Sequence, residues 1–497
     1  MKLRRFCVST AVAAAISGSA AAHAEWLEAK SQHFTLVGDL PEATMRRRVM
    51  RLERFDSVLR AILPKAAESN LPVMIVPTAE DVRRVGHRPE GTLAYFSRSP
   101  YGVFAVAPAK ISTDYGISVE TIMFHEYAHH FLMGSLDDPM PRWMNEGMAE
   151  LFMMTRLSDN GTITLGVPNG PRAYSLNDVN RWTAERLFDS DRRPPLSGEV
   201  PQLYAKGWLV LHYLLFSGRR NGEFERFTTA LKQGGSQLEA ARKAFGDLGK
   251  FESELELYRM RRSLPAMRLS NAMVPVSEAI AMRPLRSGEA EIMPFRVQSK
   301  AGVTPQQAVR LAAEARPVGA RYPDDPFVQR ALAEIEYDAL NYAAADQAID
   351  RALAADPGFV DGMAFKALLL GARARRDADP ALWRQARSWI VKANRIEPDN
   401  VFALRLYFDS FIAAREKPNI AAVNGLMRAI VVQPVYQEVR VLVAVELIAG
   451  GDAARARAAG SDRFFAARSC GQCLRQTHRC NRRRCQWCGA KSEGHRT

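Results

Sequence analysis

Cysteine is missing from the whole body of this 497-residue chain: Cys7 lies near one end, Cys470, Cys473, Cys480, Cys485 and Cys488 near the other, and residues 25–460 have none. A body without thiols suits an oxidising compartment. Net charge is scarce there too. Of the +14 overall, residues 1–24 supply three cations and no acid, and residues 461–497 supply nine Lys/Arg against Asp462 and Glu493, which leaves +4 for the body. That near-neutrality excludes a protein that binds nucleic acid through a basic surface, so no nucleic-acid partner is expected. No apolar run is long enough to span a bilayer, and no membrane span is expected once the first segment is removed. With 47% hydrophobic and 25% charged residues, the body has the composition of a globular chain of two or three domains.

The first 24 residues read as a secretion signal. Lys2, Arg4 and Arg5 form a basic start, Phe6 to Ile16 an apolar stretch, and Ala22-His23-Ala24 a small-residue cleavage site, so the mature chain would begin at Glu25. Secretion across the inner membrane, into the periplasm, is the expectation.

Residues 25–264 read as an α+β domain. His33 to Gly38 and Leu71 to Val76 look like strands around a charged amphipathic helix at Pro41 to Leu63, and Thr92 to Phe96 with Gly102 to Ala107 looks like a hairpin turning at Ser97 to Pro100. The pattern is helical at about 118–134, 141–156 and 200–217. Residues 265–304, with Pro265, Pro275, Pro284 and Pro294 and no period, read as a connector. Residues 305–460 are Ala-rich and helical. Leu332 to Pro357 resembles a tetratricopeptide repeat, with Tyr342, Ala345, Ala352 and Pro357 where small residues let helices pack. Ala386 and Ala393 before Pro398, and Ala422 and Ala429 before Pro434, repeat the offsets at irregular intervals, which calls for loop insertions around Gly371 to Pro380; a generic helical bundle is the other reading.

The chemistry is concentrated in Thr121 to Phe131, TIMFHEYAHHF. On a helix, His125 and His129 stand one turn apart on one face, where two imidazoles can share a metal ion, and Glu126 lies beside it as a base for water. Ser118 with Glu120 gives the helix a start. Three fixed residues make a weak signature alone, but zinc in a hydrolase takes three protein ligands and an open position. Glu146, in Pro141 to Glu150 (PRWMNEGMAE, with Pro141 at the first helical position), follows His129 by enough residues for a second helix to return beside the first. Glu150, one turn on, is placed to accept a ligand histidine's ring N–H. His130 points about 100° away from His129 and reads as structural; His33 and His87 carry no signal.

HEYAH followed by WMNEGMAE resembles the gluzincin metallopeptidases, and residues 25 to about 260 resemble bacterial peptidase MA-like domains. The resemblance implies an α+β metallopeptidase domain with its zinc site between two helices, followed by an all-α domain of tetratricopeptide-like repeats. It implies one Zn²⁺ per chain on His125, His129 and Glu146, with Glu126 as catalytic base and Glu150 behind the ligands. It also implies a tyrosine as oxyanion donor some tens of residues on: Tyr204 matches best, with His212 the second candidate and core packing the plain alternative for Tyr204. Leu132 and Ser135 stand where metzincins need Gly and His, and the G-A-M-E-N element of aminopeptidases is absent. The expectation is a secreted zinc endopeptidase with a peptide or protein substrate and a repeat module that binds substrate or a protein partner. The rival is an interaction scaffold whose peptidase-like domain binds zinc without turnover. The tail from residue 461, with its two CxxC pairs and odd cysteine number, reads as disordered or as a shifted reading frame; disulfides or a small zinc site are the other readings.

Overall fold

Successive residues of Leu71–Val76 and Gly102–Pro108 point to opposite faces and nearly all are buried, the pattern of strands covered on both sides. The computed structural model describes residues 26–63, 70–99, 102–111, 117–135, 140–177, 182–270, 274, 279–433, 437–452 and 456; the expected leader and the Cys-rich tail lie outside them. The first part runs β1 (Trp26–Lys30), β2 (Phe34–Asp39), α1 (Glu42–Ile62), β3 (Leu71–Val76), α2 (Ala79–Gly86), β4 (Tyr95–Ser99), β5 (Gly102–Pro108), α3 (Val119–Ser135) and α4 (Arg142–Met153). Then come β6 (Arg156–Leu157), β7 (Thr162–Leu165), α5 (Gly170–Leu176), α6 (Ala184–Phe188), α7 (Val200–Phe216), α8 (Glu223–Lys232), α9 (Gln237–Phe245), α10 (Leu248–Arg259), β8 (Met267–Ser270), β9 (Ala281–Pro284) and α11 (Ser287–Ala301). The molecule is mixed α/β and mostly helical, a small mixed sheet followed by a helix-rich carboxyl-terminal region.

The main sheet has six strands in the order β4-β5-β3-β2-β1-β9, with β2, β3 and β5 parallel and the outer pairs antiparallel. The expected hairpin is β4–β5, but its strands pair as far as Ser99 opposite Gly102, so Ser97 to Ser99 belong to the strand and not to the turn. On one face Leu71, Val73, Ile75 and Ala105 meet α1 and α3; on the other, Met74, Val76, Phe104 and Val106 meet α2 and, from α11, Met293 and Val297. Apolar residues of α1 at Met45, Val49, Leu52 and Leu59 recur at helical spacing toward that first face.

Residues 265–304 are more than a connector. They carry β8, which pairs with β7, β9, which closes the free edge of β1 with Glu28 opposite Arg283, and α11. Arg283 bonds Glu28 at 3.0 Å and Glu289 at 2.7 Å, and Arg286 bonds Asp325 at 3.0 Å, so this stretch is clasped to β1 behind it and to the helices ahead.

The helices that follow are α12 (Pro305–Arg321), α13 (Pro326–Asp338), α14 (Tyr342–Ala355), α15 (Val360–Asp377), α16 (Pro380–Ile396), α17 (Val401–Ala413), α18 (Ile420–Val432) and α19 (Gln437–Ala449). They pack in consecutive pairs, α13 on α14, α15 on α16 and α17 on α18. Ala345, Ala352, Ala386, Ala393, Ala422 and Ala429 are all buried at those contacts. Starts follow simple chemistry: Asp325 and Asp379 each accept a backbone N–H of the first turn, with proline at the next position. The extra residues near Gly371 do not form a loop. They lengthen α15 and α16, because Gly371 lies inside α15 where a Cβ would come within 3.0 Å of the Trp383 ring, and only 378–379 turn the chain.

Candidate metal centre

Ser118 accepts the N–H of Thr121 at 3.1 Å, satisfying one of the free donors at the start of α3. The roll of the helix is set by its apolar side: Phe124 stacks on Phe55 of α1 with ring centroids 4.1 Å apart, and Ala128, Phe131 and Leu132 are buried. His125 and His129 then share the remaining face, toward α4. Pro141 enters α4 one position earlier than expected, as the capping residue with an extended ψ of 142°, and Arg142 opens the helix. Trp143, fully buried, donates to Gln237 at 2.9 Å and fixes how α4 is turned. Gly147 lies directly on Gly207 of α7: a Cβ there would stand 2.6 Å from the Gly207 carbonyl carbon. Glu146 is thereby aimed at the two histidines.

His125 Nε2 and His129 Nε2 are 3.1 Å apart, and Glu146 Oε2 is 3.4 Å from the second and 3.7 Å from the first. Ligand atoms about 2.1 Å from a tetrahedral centre lie about 3.4 Å from one another. Two imidazole nitrogens and one carboxylate oxygen at those separations fit one metal ion with an open fourth position. The electrostatics agree with a cation here. Burial disfavours a charged His125, but its bond to Glu146 and the nearby charges of Glu150 and Glu126 outweigh it and push the imidazole up to about 9. Burial would raise Glu146; its bonds to the two histidines instead hold it well below the usual carboxylate range.

Glu126 is anchored by the backbone N–H of Phe96, on the outermost strand β4, which donates to Oε2 at 2.7 Å. Glu150, 1% exposed, stands behind His125 as expected but beyond hydrogen-bond reach, 3.9 Å from Nδ1. Its carboxylate is held instead by Asn169 Nδ2 at 2.7 Å and by Arg172. Sequence reasoning missed both. Asn169 before Gly170-Pro171 is a legible helix cap, and its Oδ1 does accept the Arg172 N–H at 3.3 Å, yet nothing in that signal points to Glu150. The buried Nδ1 of His129 has no hydrogen-bond partner among the described residues.

Tyr204 lies on α7, and burial together with the nearby Glu146 carboxylate raises its pKa above the ordinary phenol range, against the opposing influence of Arg142. His212 does not reach the site: its Nδ1 faces the Tyr258 hydroxyl at 2.8 Å and its Nε2 the Gly166 carbonyl at 2.9 Å, so both ring nitrogens are engaged in the core. His130 is 4% exposed, with burial lowering it to about 4, in keeping with a structural residue.

His33, passed over in the sequence, forms a second buried group with Glu53 and Asp56. Glu53 takes the His33 N–H and Nδ1, both at 2.8 Å, while Asp56 takes Tyr127 OH at 2.5 Å and Arg60 Nε at 2.7 Å. Protein donors already occupy those carboxylates. Because Tyr127 lies two residues from each of His125 and His129, about 200° around α3, the cluster fastens the helix from the side opposite those two imidazoles.

No helix among the described residues is long and apolar enough to cross a membrane. No family model matches the chain, and no curated protein matches it. A solved structure titled "MamA RS-1 ArsTM double mutant" aligns with 37% of this chain and 97% of its own at 12% identity, with a TM-score of 0.28. That likeness is too low to carry any argument about fold or function.

Proposed function

We propose that the protein is a secreted zinc metallopeptidase of the gluzincin type, an endopeptidase whose carboxyl-terminal tetratricopeptide-like repeats bind its substrate or a protein partner. The observation that carries this reading is the triangle of His125 Nε2, His129 Nε2 and Glu146 Oε2, with separations of 3.1, 3.4 and 3.7 Å, beside the carboxyl of Glu126, one oxygen of which takes the Phe96 N–H. His125, His129 and Glu146 would hold the ion, and zinc supplies Lewis acidity to a water molecule and to the scissile carbonyl. Glu126, one oxygen held by Phe96 N–H, takes a proton from water with the other and returns it to the departing amine. Tyr204 presents its hydroxyl from α7 to the charge that develops on the carbonyl oxygen. The helical pairs offer a surface of the kind that repeat proteins use for extended ligands.

Purified protein should contain about one zinc per chain by elemental analysis and should cleave an unfolded protein. Glu126→Gln should abolish cleavage and keep the metal, and His125→Ala should lose the metal. Wild-type protein that holds zinc but cleaves nothing across a broad peptide library would favour the scaffold reading instead. Unchanged metal content in His125→Ala would overturn the ligand assignment. Amino-terminal sequencing of exported protein tests the secretion reading, which requires a start at Glu25.

A further inference from the structure

Arg172 does more than neutralise a buried acid. Glu150 needs a donor set because it is 1% exposed, and a guanidinium fork can satisfy both oxygens of a carboxylate alone. Here the fork is not spent that way. Only Nη2 goes to Glu150 Oε1; the other oxygen is given to Asn169 Nδ2 at 2.7 Å. The guanidinium carbon is left 5.3 Å from the centroid of the Tyr204 ring. One side chain on α5 therefore touches the carboxylate 3.9 Å behind His125 Nδ1, on α4, and faces the ring of Tyr204, on α7. Asn169 keeps Arg172 in register, since the same amide that binds Glu150 also caps α5 at the Arg172 N–H.

Resting on the metallopeptidase reading, we propose that Arg172 is a positioning residue that ties the carboxylate behind one metal ligand to the hydroxyl-bearing ring of Tyr204. It would act through Glu150 on His125, and through the ring face on Tyr204, without touching substrate. A lysine could supply the charge to Glu150 but not the planar group over the ring, so the two halves of the role are separable.

Zinc affinity of the metal-free protein, measured by competition with a chromogenic chelator, reads the first half; kcat and KM on an unfolded protein read the second. Arg172→Gln should weaken zinc binding, by no more than the roughly ten- to hundred-fold that losing a partner directly orienting a ligand costs. Arg172→Lys should keep zinc affinity near wild type and lower kcat with little change in KM. Its effect should not add to that of Tyr204→Phe, because both act through one hydroxyl. Wild-type zinc affinity in Arg172→Gln, with only a lower unfolding temperature, would reduce Arg172 to a fold-stabilising ion pair and overturn the proposal. Fully multiplicative effects of Arg172→Lys and Tyr204→Phe would overturn its second half. A wild-type protein that cleaves nothing sinks the peptidase reading separately, and the zinc affinities still decide the link from Arg172 to His125.

Discussion

Gly147→Ala tests whether helix contact sets the site. A Cβ at Gly147 would meet Gly207 at 2.6 Å from its carbonyl carbon and 2.9 Å from its oxygen, and Gly207 sits against Trp143 O in the same way, 2.5 Å from its own added Cβ. Carbon atoms pack at about 3.5–4.0 Å, so α4 and α7 must part by about 1 Å. Neither side can yield locally, because both contacts are to helix backbone and Trp143 is fully buried. Overpacking of this kind costs about 1–3 kcal/mol, which in a domain of this size lowers the unfolding temperature by about 2–12 °C. The same shift lies between Glu146, adjacent to Gly147, and Tyr204, one turn before Gly207. A displacement of about 1 Å in a reacting constellation can cost about a hundredfold in rate. Calorimetry of the metal-free protein, zinc content and kcat on an unfolded substrate should show a destabilised protein that still binds zinc and turns over slowly. Gly134→Ala is the control: it is the next-to-last residue of α3 with nothing within 4 Å of the new Cβ, and should be neutral or stabilise by no more than about 0.5 kcal/mol. A Gly147→Ala protein with wild-type unfolding temperature and kcat would refute the contact as the determinant of the site.

Tyr127→Phe removes the donor to buried Asp56 and should cost about 1–3 kcal/mol in denaturant unfolding, with no loss of zinc. The His33–Glu53 pair gives a pH window. Burial would lower His33, but Glu53 and Asp56 outweigh it and raise its pKa, so its contribution is full below about 6.5 and is lost as pH rises through the folded value. Glu53 is lowered by its bonds to His33 and Ser31 despite burial, so its contribution is lost as pH falls through its folded value. His33→Gln should therefore flatten the alkaline fall of stability measured by urea titration from pH 5 to 9; an unchanged slope would remove His33 from the account. Ala352→Leu, fully buried between α14 and its neighbours, should cost about 1–3 kcal/mol, while the equally conservative change at exposed Ala355 should be neutral within about 0.5 kcal/mol by the same measurement.

The parts legible in the sequence were those written in local periods. LPVMIV reads as a central strand because it is apolar on both faces, and His125, His129 and Glu146 could be assembled from helical spacing and one short return. What could not be read depends on partners distant in the chain. β9 is a four-residue strand whose only strand partner among the described residues lies more than 250 residues earlier, so no local pattern marks it. α11 was hidden by Pro294, which the helix tolerates at an exposed position. Asn169 and Arg172 reach Glu150 from about 20 residues away, through a fold that places α5 beside α7. His212 and Tyr204 carry similar sequence signals on one helix, but they lie eight residues, about 12 Å, apart along its axis and on different faces, which separates a core histidine from a residue beside Glu146.

The sealing of β1 by β9 bears on how the molecule must be made. On a ribosome, the first strand of the sheet-bearing half emerges long before the strand that covers its edge. The apolar surface formed by Met74, Val76 and Phe104 likewise waits for Met293 and Val297. A chain cut after residue 264 would carry every side chain of the site and still present a bare strand edge and an open apolar face, both sticky toward other copies. Work on the isolated half should therefore extend through residue 301.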